Sequence, residues 1–230
     1  MMSSRARVLA QPGVDALRAW ANEAADTHID KQVLTKRMGV LYGAALSWMQ
    51  LRDMKQARAL IPRMQEAGSG HATAVRLIRL FESELAFKED DMRAALRALN
   101  ATANQANRQW PRPELIALAQ ASARLHATSS SVETAQLLAN SIAALQALVL
   151  QTPQDAQAWQ VLATALAAQG RPLASLRAEG EVQIARMDFG AAVDRFKAAQ
   201  DASRRGPAQM GDHIEASIVD ARLRFAQSIF

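Results

Sequence analysis

Residues 158 to 180 read AWQVLATALAAQGRPLASLRAEG. Alanine and leucine recur at helical spacing up to Gly170-Arg171-Pro172, where glycine admits a left-handed backbone and proline suits the first turn of a new helix. The stretch therefore spells a helix, a tight turn and a second helix folded back on the first. Trp159 stands at its head as the one large anchor.

The same bend recurs elsewhere. RDMKQARALI from Arg52, DDMRAALRAL from Asp90 and MDFGAAVDRF from Met187 share a layout. An aspartate (Asp53, Asp91, Asp188) precedes a large apolar residue (Met54, Met92, Phe189). Three positions later stands alanine (Ala57, Ala95, Ala192), and four beyond that a bulky residue (Ile61, Leu99, Phe196). The aspartate caps the second helix, the apolar residue plugs the bend, and alanine lets two helices cross closely. GRPLASLRAEG follows loosely, with Ser175 as the small residue and Glu179 where bulk is expected. Met54 and Met92 recur near the tetratricopeptide (TPR) period of about 34 residues, and Trp159 with Leu162, Ala163 and Leu166 reads as the wedge of one such repeat.

Composition agrees. Half of the 230 residues are hydrophobic and 5% aromatic; alanine abounds, and the β-branched and aromatic residues that strands favour are sparse. The predicted fold is all-α, a TPR-like α-α superhelix of helical hairpins. About eleven helical segments follow from periodicity and breakers, at 14–26, 30–51, 54–67, 70–88, 91–105, 112–127, 131–151, 155–169, 172–186, 189–205 and 211–228. Two subarrays are expected, 1–110 and 111–230, joined around NRQWPRP. A lone hairpin cannot bury its apolar face, so neighbours must stack.

The chain carries 27 Lys and Arg against 22 Asp and Glu, with a sequence pI near 10.2. The arginines are scattered without a basic block or aromatic interleaving, so no nucleic-acid partner is expected. No apolar run of 18 or more residues stands in the sequence, and no transmembrane segment is expected. MMSSRARVLAQPGVD has positive charge without a following apolar run, unlike a signal peptide. Cysteine is absent, which removes disulfides and thiolate chemistry.

Motifs for catalysis are missing. His28, His71, His126 and His213 form no His-Glu-x-x-His pair, and DTHID and GDHIEA read as helix-terminus caps. KEDDM (88–92) lacks the further carboxylates that a hard cation wants, and GSGHAT (68–73) has no strand before it and no Gly-Lys-Ser/Thr, so it reads as a helix connector. No serine lies in Gly-x-Ser-x-Gly or Ser-x-x-Lys. The reading is a noncatalytic module without cofactor or metal. Tyr42, Met49 and Gln50 in the first subarray, and Gln160 and Thr164 in the second, are expected to point away from their hairpin partners and line a concave face that binds peptide.

The last third resembles a known family. AWQVLATALAAQGRPLASLRAEGEVQIARMDFGAAVDRFKAAQDASR followed by DHIEASIVDARLRFAQSI looks like the C-terminal TPR region of bacterial family M-48 zinc metalloproteases of the outer-membrane-assembly-enhancing type. The resemblance lies in Asp188-Phe189, Ala191 to Ala199 and Ala221-Arg222-Leu223-Arg224. SRARVLA, with Arg5 to Leu9, resembles the segment that joins the peptidase domain to the repeats. The resemblance implies a periplasmic location and a part in outer-membrane protein assembly and quality control. It implies protein partners: a linked protease domain, outer-membrane protein clients or assembly machinery. Zinc would belong only to a linked protease domain, because the His-Glu-x-x-His helix is absent here. A free-standing TPR scaffold of a secretion or envelope assembly complex is the alternative.

Overall fold

A computed structural model describes residues 1–10, 12–100, 109–205 and 212–229. Among these the chain is all-α, with no strand. It divides into two compact units, Met1–Leu99 and Asn100–Phe230, against the expected boundary at 110. Trp110 thus belongs to the second unit, and residues 107 and 108 of the expected joint lie outside the described residues.

The first unit runs α1 (Met2–Leu9), α2 (Val14–Asn22), two short 3-10 turns (Glu23–Ala25 and Thr27–Lys31), α3 (Leu34–Gln50), α4 (Met54–Ala59), α5 (Ile61–Gly68), α6 (Ala72–Lys88) and α7 (Met92–Ala98). Helix α3 is its spine, packed on by α1, α2, α4 and α5. The core gathers Leu41, Leu46, Met64, Ile78, Phe81 and Leu85. The segment expected as one helix at 54–67 is two, α4 and α5. Pro62 sits in the first turn of α5, where its missing N–H and its ring break the bond pattern that a continuous helix needs. The segment expected at 91–105 is helical over Met92–Ala98, the left-handed Asn100 (φ 52°) follows, and residues 101–105 lie outside the described residues. Helix α1 was not anticipated.

The second unit contains α8 (Arg112–Thr128), α9 (Val132–Gln151), α10 (Ala156–Ala168), α11 (Pro172–Ala185), α12 (Phe189–Arg205) and α13 (Asp212–Ile229). Each helix packs on its successor, and α8 also meets α10 while α11 also meets α13. Helix α11 therefore serves the hairpins on both sides of it.

The repeated bend is one backbone device. Arg52, Asp90, Gly170 and Met187 have φ of 63°, 60°, 78° and 61°, and each stands just before the residue that starts the next helix. That next residue donates its N–H five positions back in all four: Asp53 to Trp48, Asp91 to Ala86, Arg171 to Leu166 and Asp188 to Gln183, at 2.9 to 3.0 Å. This satisfies the orphan carbonyls at a helix end. The aspartates then accept the N–H groups of Gln56, Ala94 and Ala191 at 3.0, 2.8 and 3.0 Å. Ala57, Ala95, Ala192 and Phe196 are fully buried, and Ile61 and Leu99 nearly so. Ser175 fills the same place at the fourth bend, its hydroxyl donating to the Ala163 carbonyl at 2.9 Å.

Trp159 is buried, and its indole N–H donates to the Pro153 carbonyl at 2.9 Å, which pins the wedge to the turn before α10. Where a bulky residue was expected at Glu179, the neighbour Gly180 takes over. A Cβ there would lie 2.3 Å from the ring of Phe196, so only hydrogen fits between α11 and α12. Glu179 instead reaches Arg195 at 3.3 Å.

One helix departs from the transmembrane expectation. Val132–Gln151 is long and apolar enough to cross a membrane by length and composition. Leu138, Ile142, Leu145 and Val149 are buried, and the helix packs on α8 and α10.

Candidate functional site

The five residues expected on a peptide-binding face separate into two groups. Tyr42 and Met49 are each 3% exposed and belong to the core of the first unit, which corrects the expectation that they line an open surface. Helix α3 is covered on several sides, so residues turned away from one hairpin partner meet another helix. Tyr42 packs edge-on to Phe81, ring centres 5.5 Å apart. Its hydroxyl accepts from Arg5 Nη1 at 2.9 Å, and burial pushes the phenol above its ordinary pKa, against the opposing pull of Arg5. Gln50 is exposed at the end of α3.

Gln160 and Thr164 are exposed. With Gln157 and Ala167 they form one open strip along α10, every other part of which between Ala158 and Leu166 is buried. The strip is uncharged, and its amides and hydroxyl are the donor and acceptor types that pair with a peptide backbone. The Thr164 hydroxyl donates to the Gln160 carbonyl at 3.1 Å.

Helix α8 runs beside α10 in the same direction, because their N-termini are clipped together. Arg112, in the first turn of α8, donates Nη2 to Asp155 Oδ1 at 2.8 Å and to Gln157 Oε1 at 3.0 Å, and its Nε to Asp155 Oδ2. Asp155 also caps α10 through the N–H of Ala158 at 3.0 Å. The Arg112 guanidinium, foremost, holds the Asp155 carboxyl below the usual carboxylate range.

The rest of the second unit is held by comparable clips. Glu181, 8% exposed, takes both Arg222 Nε and Nη2 at 2.6 Å, and Arg222 lies 4.7 Å over the Phe225 ring. Glu215 takes Arg177 at 2.6 Å and Arg171 at 3.6 Å. Bidentate pairing of this kind fixes geometry more than it adds stability. None of these pairs was read from the sequence: partners stand 38 to 45 residues apart, and no local pattern links them.

The histidines are peripheral. His28 pairs through Nδ1 with Asp26 at 2.9 Å, and Asp26 accepts the His28 N–H to cap a 3-10 turn; that backbone bond, chiefly, lowers the Asp26 pKa. His126 lies 3.2 Å from the Thr134 hydroxyl. Among the described residues no group of three His, Asp or Glu side chains converges as a metal site would require.

No protein-family model matches the chain, and no curated protein matches it significantly.

Proposed function

We propose that the chain is a noncatalytic, TPR-like protein-binding module that holds polypeptide segments along the open strip of α10 and its neighbour α8. The observation that carries this reading is the contrast within α10: a helix buried on its other sides that offers Gln157, Gln160, Thr164 and Ala167 to solvent without one charge. A strip held rigid by flanking helices needs no reorganisation on binding, so affinity is not lost to ordering the binder. Uncharged amides accept varied sequences, which suits unfolded clients.

The resemblance of residues 158–204 and 212–229 to M-48 metalloproteases supports a finer form of the proposal. In it the module accompanies a periplasmic zinc protease and presents outer-membrane polypeptides to it, the zinc being held by the protease domain. A His-Glu-x-x-His motif in the reading frame upstream of Met1 supports this form, and a frame without one favours a free-standing scaffold.

The binding reading is tested by placing a photo-crosslinker at Gln160 or Thr164, with Gln136 on the exposed side of α9 as control, and offering unfolded outer-membrane polypeptides. Capture from positions 160 and 164 well above the control is the expected result. Equal yields at all three positions overturn the reading.

A further inference from the structure

Helix α1 is docked like a ligand. Its side chains meet the surface beneath it one by one. Val8, 2% exposed, enters the core of the first unit. Arg5 forks onto Glu84 at 2.8 and 3.2 Å while reaching the Tyr42 hydroxyl. Arg7 lies 4.5 Å over the Trp20 ring and 3.5 Å from Glu23, and the Ser4 hydroxyl donates to the Gly39 carbonyl at 2.8 Å.

The receiving surface is shaped for this approach. Gly39 and Gly43, one turn apart on α3, leave a trough: a Cβ on Gly43 would lie 3.3 Å from Ser4 Cβ, and one on Gly39 3.4 Å from its hydroxyl. Glu84 and Glu23 set negative charge on the two sides, against the two arginines of α1. Next to α1 the trough continues as an open depression of about 260 Å³ reaching Lys36 and Val40, so α1 does not fill the space offered.

We propose that this trough is a recognition site for short basic helices bearing Arg-x-Arg-Val, and that α1 occupies it in cis as a competing ligand. Glu84 and Tyr42 read the first arginine, Trp20 and Glu23 the second, and the core beneath accepts the aliphatic residue. The inference deepens the protein-binding reading, on which it rests, by giving one partner class a site in the first unit. Capture at Gln160 and Thr164 in the second unit tests that reading separately.

The test uses the full chain and a fluorescent peptide of residues 1–10. Substitutions Arg5→Ala and Val8→Asp in the chain undock the cis helix, with circular dichroism as the check on folding. Peptide affinity, read by anisotropy, is expected to rise about tenfold or more over the wild-type chain, since cis occupancy lowers the fraction of competent sites. Adding Glu84→Gln, or using a peptide with Arg5→Ala, is expected to abolish that gain. A folded variant that binds the peptide no better than wild type overturns the proposal. Should the variant unfold, hydrogen exchange of the wild-type chain decides: α1 amides that open independently of α3 and α6 support it, and amides that exchange only together with α3 and α6 overturn it.

Discussion

The two units use one bend and build different things after it. In the second unit the bends at Gly170 and Met187 lead into α11 and α12, helices of 14 and 17 residues. In the first unit the bends at Arg52 and Asp90 lead into α4 and α7, of only 6 and 7 residues. The left-handed residue and the i→i−5 bond are alike at all four bends, and the aspartate cap at three, with Arg171 in its place after Gly170. What differs is the stop: Pro62 cuts one helix of the first unit and left-handed Asn100 follows the other. The bend is thus a local code, whereas helix length is set by separate residues downstream.

The cores differ in kind as well. The first unit relies on Met38, Met49, Met64 and a Tyr42–Phe81 pair, with Arg5 and Glu84 bridging its helices. The second relies on small residues that let helices approach, with Phe196 seated on Gly180. Close approach tolerates less change than thioether packing, because methionine rearranges and a backbone contact does not.

That contrast can be broken at several places. The largest effect is expected from Phe196→Ala, which empties a fully buried site and is expected to cost about 3–5 kcal/mol in urea unfolding; a loss under about 1 kcal/mol would show that the α11–α12 contact is loose. Gly180→Ala is expected to cost about 1–3 kcal/mol through overpacking, and Phe196→Leu in that background should recover part of the loss. Ala57→Leu and Ala192→Leu are each expected to cost about 1–3 kcal/mol. Similar melting losses from both would confirm a shared crossing, and an unchanged melting temperature in either would separate the units at this point.

Asp155 provides a pH test confined to the second unit. Its carboxyl titrates below the unfolded value of about 3.9, so its contribution is complete above that pH and fades as pH falls through the lowered value. Asp155→Asn keeps a capping side chain and loses the charge. It is expected to cost about 1 kcal/mol at neutral pH and to flatten the acid side of the stability profile. The smallest effect is expected from Met187→Gly. Met187 is 81% exposed with a positive φ, so little packing is lost and backbone strain is relieved, for a gain of about 1 kcal/mol seen as a higher melting temperature.

Much of the fold was legible in the sequence because its signals are short in range. Asp53, Asp91 and Asp188 sit three residues before the N–H groups they cap, and Ala57, Ala95 and Ala192 one turn further on; both spacings are fixed by helix geometry. Trp159 declared itself by its contrast with the alanines around it. The break at Pro62 was also in the sequence, but periodicity carried through it. Helix α1 was missed because its apolar and charged residues find their partners on α3, α6 and α2, far along the chain. The candidate face was half legible. Gln160 and Thr164 lie on a helix whose neighbours could be inferred, whereas Tyr42 and Met49 lie on α3, whose further partners α1 and α2 come from other parts of the chain.

The bends at Arg52, Asp90, Gly170 and Met187 have one more implication. A joint completed by the three or four residues on either side of it makes no demand on the length or sequence of the arms it connects. Such joints are natural seams for recombination: a whole hairpin can be duplicated or removed between two of them with the chain direction preserved at each end. The long α12 and the short α4 follow the same joint.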